Sequence, residues 1–494
     1  MVIQNALAFF LTPFMLGVLG SSQFGVYRLV LSVASYFALA DLGLSNAIVR
    51  YVSEYRAKSD KRSEGRFIAL IISVDVLAGI LVVIAGAGFY RLIPGLFQDS
   101  FTGQEIQLLQ QLFILLVVNG VFNLFVNLTT GVMKSYDRFG LLKTIDIARS
   151  LVRALSMVVL LLSGFQVFAV VLVDTFLTLL TLVVTSSYCL RKLRVEPSFK
   201  SLTFPYARQI IKYSSVVFVD SLAFYLLNSA DAIIIGIKIS SAAVAVYSIG
   251  VQISSIFHAL SIVISDVLMP EVVVKVATNE TDRQLTDYMI KIGRIKLLVL
   301  ALPTIGFALL GRSFVTLWVG PQYIEAFYVA LLVIIPSMLA GVGDVGLYVM
   351  WAKNKHKTKS VVSLVIAGIN IVISLILVDR IGLLGAAVGT SVAWILGYNV
   401  FNSIYFHRVL KLDMKRFYAE TFSGVWIAMA GAAVCAVVVS AVGDVSWATF
   451  AVRVLAVSAV YVGLAWMVAL NDSEKVMARG MLRARRDSAD GSAG

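Results

Sequence analysis

Asp146, Arg149 and Arg153 carry the clearest chemical pattern in the chain. Spacings of three and four residues place them on one face of a helix, in the first half of an otherwise apolar stretch, 144–163. The planar fork of arginine grips phosphate oxygens two at a time. The ladder therefore predicts a phosphate-receiving stripe climbing inward from one membrane surface. The plainer alternative is an ion-paired packing face with Arg149 reaching out toward water. Asn119, Asn123 and Asn127 recur every four residues on the preceding apolar stretch. Such amides suit sugar hydroxyls, or else tie helices together inside a bilayer; Asn228, Gln252 and Asn370 are of the same kind.

Carboxylates are scattered along other apolar stretches. An ionisable group near the bilayer centre is costly and is a functional candidate by default. A carboxyl in a low-dielectric cavity can also carry a proton. Asp75 and Asp220 lie close to the middle of their stretches and are the preferred ion-coupling candidates, with Asp174 and Asp41 beside them. Asp41 and Asp231 are expected rather to hold helix or backbone contacts. His258 reads as a packing residue that could titrate near neutrality. Cys189 and Cys435 show no ligand spacing, and with only three histidines no metal or cofactor is expected.

These groups sit in a chain of 494 residues that is 59% hydrophobic and only 14% charged. No soluble surface can be made from so few charges, and a mean hydropathy of +0.91 points to a polytopic membrane protein. A helix needs about 20 apolar residues to cross the hydrocarbon core. Fourteen stretches qualify: 1–19, 27–49, 67–90, 108–132, 144–163, 165–188, 213–236, 244–268, 294–312, 325–350, 361–378, 382–406, 420–442 and 448–469. No basic n-region precedes Gln4, so the first reads as a span rather than a cleaved signal, in a chain whose start lacks a basic leader. Alternate loops and the tail hold 34 of the 41 basic residues, which makes that side, and both termini, cytoplasmic. Six more fall outside (Arg28, Arg91, Lys238, Arg312, Arg380 and Arg453), and Arg153 alone is left within a span. The net charge of +13 is thus a label of topology, and no nucleic-acid partner is expected.

An internal repeat organises the spans. Ser21–Tyr27 (SSQFGVY) returns as Ser241–Tyr247 (SAAVAVY), 220 residues on. Val132-Met133 likewise returns as Val349-Met350, and Gly164 as Gly382. Six spans per copy is an even number, so both copies insert the same way up, as parallel repeats with a site between them. The expected organisation is a six-helix lobe (1–190), a cytoplasmic linker (191–212), a second six-helix lobe (213–408), two extra helices (409–470) and a cytoplasmic tail (471–494). Gly385 and Gly389 form a GxxxG pair for close helix packing.

The segments LTPFMLGVLGSSQFGVYRLV, ALADLGLSNAIVRYVSEYRAKSD, NSADAIIIG, LPTIGFALLGRSFVTLWVGPQYIEA and RIGLLGAAVGTSVAWILGYN resemble bacterial polysaccharide-transport flippases of the multidrug/oligosaccharidyl-lipid/polysaccharide exporter superfamily. The resemblance runs through the first twelve spans. It implies alternating access and transfer of an undecaprenyl-pyrophosphate-linked oligosaccharide across the bacterial inner membrane, with membrane lipids, polysaccharide polymerase and export machinery as partners. The first span lacks any arginine, whereas relatives that flip the peptidoglycan precursor carry basic residues there. The competing readings are cation-coupled multidrug efflux and, in another class, a membrane-embedded polysaccharide polymerase or glycosyltransferase. Efflux of cationic drugs would want acidic and aromatic lining with no phosphate-binding arginine. A polymerase needs substantial outer loops, and the longest here, 91–107, offers only Asp99 and Glu105.

Overall fold

A computed structural model describes residues 2–199, 204–278, 280–353, 355, 357–440, 446–472 and 474–476. Among them every regular element is helical and no strand occurs. The chain begins with α1 (Val2–Phe37), α2 (Leu44–Ala57), α3 (Lys61–Phe97), α4 (Gly103–Ser135), α5 (Phe139–Leu162) and α6 (Val167–Arg191). It continues with α7 (Phe204–Lys238), α8 (Ser241–Ala277), α9 (Asp282–Trp318), α10 (Glu325–Val342) and α11 (Val345–Ala352). Next come α12 (Lys357–Ile381), α13 (Leu383–Ala393), α14 (Asn402–Arg408), α15 (Met414–Phe422), α16 (Val425–Ser440) and α17 (Trp447–Leu464). Local chemistry sets several starts. Thr102 with Glu105 and Thr281 with Gln284 form reciprocal capping boxes at α4 and α9, and the Asp60 carboxylate accepts the Ser63 amide at α3.

Eleven helical segments among the described residues are long and apolar enough to cross a membrane. A twelfth forms if Met414–Phe422 and Val425–Ser440, bent by 45°, make one span. Two features reconcile this with fourteen. One continuous segment, Ala6–Ala57, contains the first two expected spans, and α1 breaks within it at Gly20 (φ 71°). Helix α5 is 24 residues long but carries Lys143, Asp146, Arg149 and Arg153, so an apolar criterion passes over it. The molecule is an all-α, multi-pass membrane protein with about fourteen spanning helices.

Two compact units form. One is Met1–Ile249 with Lys357–Ala393; the other is Gly250–His356 with Trp394–Gly494. They depart from the linear halves 1–190 and 213–408. Helix α7 packs on α1 and α12, and α12 packs on α13, which draws three helices of the second copy into the first unit. Within that unit the two copies touch through equivalent residues. The Arg28 guanidinium donates to the Ser248 carbonyl, 3.4 Å away and 220 residues on. A Cβ added to Gly25 would overlap the Ser241 carbonyl oxygen, so only glycine lets α1 lie this close to the start of α8.

The second unit has its core on α9, where Met289, Leu297, Leu300 and Ala301 are buried against α10, α15 and α16. Cys189 is buried on α6 with its thiol toward the Thr129 carbonyl, a packing position.

Candidate functional site

The ladder on α5 meets α6, and the partner is Asp174. Its carboxylate lies 3.3 Å from Arg153 Nε and 3.8 Å from Arg149 Nη2. Arg149 also donates to the Thr178 hydroxyl (2.7 Å), which in turn donates to the Asp174 carbonyl (2.9 Å). Asn119 of α4 donates to the same hydroxyl (3.1 Å), and Asn123 bonds back to Asn119. Arg153 Nη2 donates to the Tyr27 hydroxyl of α1 at 3.1 Å. Four helices thus converge on two guanidiniums. The reason lies in spacing: α6 presents Thr175, Thr178, Thr181 and Thr185 in steps of three and four, a small polar stripe that both α4 and α5 can approach.

The two guanidiniums share one close carboxylate, Asp174, while the exposed Asp146 acts on Arg149 only at longer range through its charge. Side-chain exposures of 38% for Arg153 and 28% for Arg149 leave both within reach of a ligand. Asp146 makes no ion pair with the cluster: it is exposed, its backbone carbonyl accepts from Ser150, and it reaches Arg149 only through its charge. Asn127 also stays out. It stands about 12 Å along α4 from Asn119, and among the described residues its amide makes no hydrogen bond.

The other carboxylates have different surroundings. Asp41 accepts from the Ser45 hydroxyl (2.7 Å) and amide (3.3 Å), which ties the turn before α2. Asp75 is 2% exposed on α3, with the like charge of Asp41 acting on it. Asp220 is half-buried on α7 with Lys359 of α12 as its charged neighbour. Asp231 is 1% exposed and is held by hydroxyls on three helices. Tyr247 and Ser374 each donate to it at 2.8 Å, Thr390 donates as well, and Asn370 adjoins Ser374 (3.4 Å). Gly389 faces Ser374 and Asn370, so the GxxxG pair is what brings α13 onto this group. A buried carboxylate ringed by neutral oxygens suits a proton or a small hard cation. Sequence reading expected Asp231 to hold helix contacts; its hydroxyl partners were not visible there, although Asn370 and Ser374 do share an i, i+4 face.

The second unit contains basic groups at the edge of the expected span 294–312, where Arg294 and Lys296 count with the basic loop 270–296. Helix α9 begins at Asp282, so both lie well inside it. Lys296 is fully buried (0% exposed) and bonds Asp344 (2.7 Å) and Ser265 (2.5 Å). Arg294 pairs with Glu474 at 2.8 Å and caps the carbonyls of Glu420, Ser423 and Ala469, fastening α15 and the segment that follows α17 to α9. Arg453 of α17 is 4% exposed. Arg153 is therefore not alone inside the helices, and it is the more accessible of these cations. His258 packs edge-on to Trp394, 5.5 Å between centroids, as a packing residue would. Among the described residues no three His, Cys, Asp or Glu side chains gather as a metal site.

Residues 1–274 match the family model described as polysaccharide biosynthesis protein. The chain is 22% identical over 481 residues to the uncharacterized membrane protein EpsK of Bacillus subtilis (strain 168), covering 95% of this chain and 93% of EpsK. It is 23% identical over 378 residues to the probable low-salt glycan biosynthesis flippase Agl15 of Haloferax volcanii, covering 76% and 75%. Among solved structures, the inward closed conformation of the lipid II flippase MurJ superposes with a TM-score of 0.72 at 14% identity, over 94% of this chain and 98% of that one. That identity speaks for the fold alone. Taken with the family match, the fold and relatives are those of a flippase or exporter and not of an enzyme. This multi-pass membrane transporter belongs to the polysaccharide biosynthesis protein family.

Proposed function

We propose that the chain flips polyprenyl-pyrophosphate-linked oligosaccharide repeat units, on undecaprenyl in bacteria, across the cytoplasmic membrane by alternating access. The observation that carries this reading is the pair of partly exposed guanidiniums, Arg149 and Arg153, gathered around a single close carboxylate. A pyrophosphate supplies about two negative charges and oxygens matched to the guanidinium fork. Asn119 and Asn123 stand beside it as partners for sugar hydroxyls. The relative named as a glycan biosynthesis flippase supports the substrate class. Basic loops orient both termini toward the cytoplasm, and polymerase and export machinery would take the product on the far side.

The energetics agree in sign. Moving about two negative charges outward across an inside-negative potential of about 100 mV is favourable by roughly 4–5 kcal/mol. Resetting the empty carrier can then draw on a cation entering at a buried carboxylate, with the oxygen-lined Asp231 the best shaped for it. Export of cationic drugs fits less well, because the same arginines would repel them.

Arg153→Ala tests the proposal. Surface polysaccharide should be lost and lipid-linked precursor should accumulate on the inner leaflet, while the protein stays at its normal level in the membrane. Normal polysaccharide in that variant would remove Arg153 from the mechanism.

A further inference from the structure

Tyr27 and Tyr247 occupy the same position in the two copies of the repeat, 220 residues apart. The copies touch at equivalent residues, Arg28 to Ser248, and Gly25 lies against Ser241 close by. Both tyrosines lie beside this contact in sequence, and both are buried, at 5% and 4% exposure. Their hydroxyls act with opposite polarity. Tyr247 donates to the Asp231 carboxylate at 2.8 Å, whereas Tyr27 accepts from the Arg153 guanidinium at 3.1 Å. A phenol can do either, so each copy uses it for the charge it holds.

The consequence falls on Arg153. Asp174 lies 3.3 Å from Nε as an ion contact without hydrogen-bond geometry, so the directional bond to this guanidinium is the one Tyr27 accepts from Nη2 (3.1 Å). That bond sets the turn of a planar group that the ion contact alone holds only in place. Among the described residues nothing bonds the remaining nitrogen, Nη1, and the side chain is 38% exposed. We propose that Tyr27 is the positioning residue that fixes the plane of the Arg153 guanidinium for pyrophosphate, itself held rigid by the contact of α1 on α8. This rests on the pyrophosphate reading of Arg153. Preorganisation of this kind improves binding because the guanidinium is already ordered when the ligand arrives.

The test uses full-length protein in nanodiscs with decaprenyl pyrophosphate as the binding probe, and flipping of a fluorescent polyprenyl-pyrophosphate disaccharide in proteoliposomes. Tyr27→Phe should weaken probe binding about five- to tenfold, as expected for losing a hydrogen bond to a charged group. The maximal flipping rate should change less than about twofold. In an Arg153→Ala background Tyr27→Phe should add nothing, since the group it positions is gone. Tyr27→His, which keeps an acceptor nitrogen, should recover part of the affinity and decides the matter if Tyr27→Phe expresses poorly. Equal losses in both backgrounds, or no loss in the parent, would overturn the role of Tyr27 and leave Arg153 in place. An Arg153→Ala variant that binds like the parent would overturn the pyrophosphate reading and this inference together.

Discussion

Asp174 separates two ways in which this transporter could use a carboxylate. Sequence position makes it an ion-coupling candidate, whereas the structure makes it the shared counter-ion of Arg149 and Arg153. Replacing it with Asn removes a charge 3.3 Å from one guanidinium and 3.8 Å from the other. Each contact is worth about 4–5 kcal/mol at an effective dielectric of about 20, and about 1 kcal/mol in bulk water. The three side chains are 22–38% exposed, which places the pair nearer the watery limit. Allowing for the desolvation that Asp174 no longer incurs, a net destabilisation of about 1–3 kcal/mol is expected. The charge left behind attracts pyrophosphate more strongly. Asp174→Asn should therefore bind polyprenyl pyrophosphate about tenfold more tightly, at about 1.4 kcal/mol per decade, while releasing it more slowly and flipping at a reduced rate. Thermal unfolding in detergent, probe binding, and transport across a matrix of sodium and pH values make the measurement. A counter-ion leaves the ion dependence of transport intact; a coupling carboxylate would abolish it. Unchanged stability and unchanged pyrophosphate affinity in Asp174→Asn would refute the electrostatic reasoning.

Two further outcomes test the frame around the site. Lys296→Met strands the Asp344 carboxylate in a buried setting and should cost about 3–5 kcal/mol, whereas Lys296→Met with Asp344→Asn should recover about 2 kcal/mol or more, because a neutral pair incurs no such penalty; additive losses in thermal unfolding would contradict a direct pair. Gly25→Ala should reduce folded protein severely, since its methyl group collides with the Ser241 backbone. A monodisperse size-exclusion peak at the parent's yield would show that α1 and α8 can separate at little cost.

How much of the site is legible in the sequence depends on how far apart its partners lie. Arg149 and Arg153 are one turn apart on one helix, so their shared face follows from spacing alone, and Asn119 with Asn123 likewise. Asp146 satisfies the same spacing and yet stays exposed. Facing the same way along a helix does not specify which neighbour will be there, and α6 rather than α5 supplies the carboxylate. Asp231 draws its hydroxyls from Tyr247, Ser374 and Thr390, up to 159 residues distant. No local pattern announces such a meeting. Arg294 and Lys296 look like loop charges for a related reason: only the tertiary structure brings Glu474 and Asp344 up to neutralise them, with Ser265 accepting from Lys296.

By itself the sequence determined the solvent and the number of spans to within a few. Its apolar stretches demanded a bilayer, and a 220-residue echo showed where one motif recurs. Those properties are sums over local composition, and the membrane reads them one span at a time. The tertiary structure alone decided which charges face each other: Asp174 with two arginines, Asp231 with three hydroxyls, Lys296 with Asp344. Burying a charge is tolerable only where a partner from another helix completes it, so those pairings are fixed by packing, after the spans are in place.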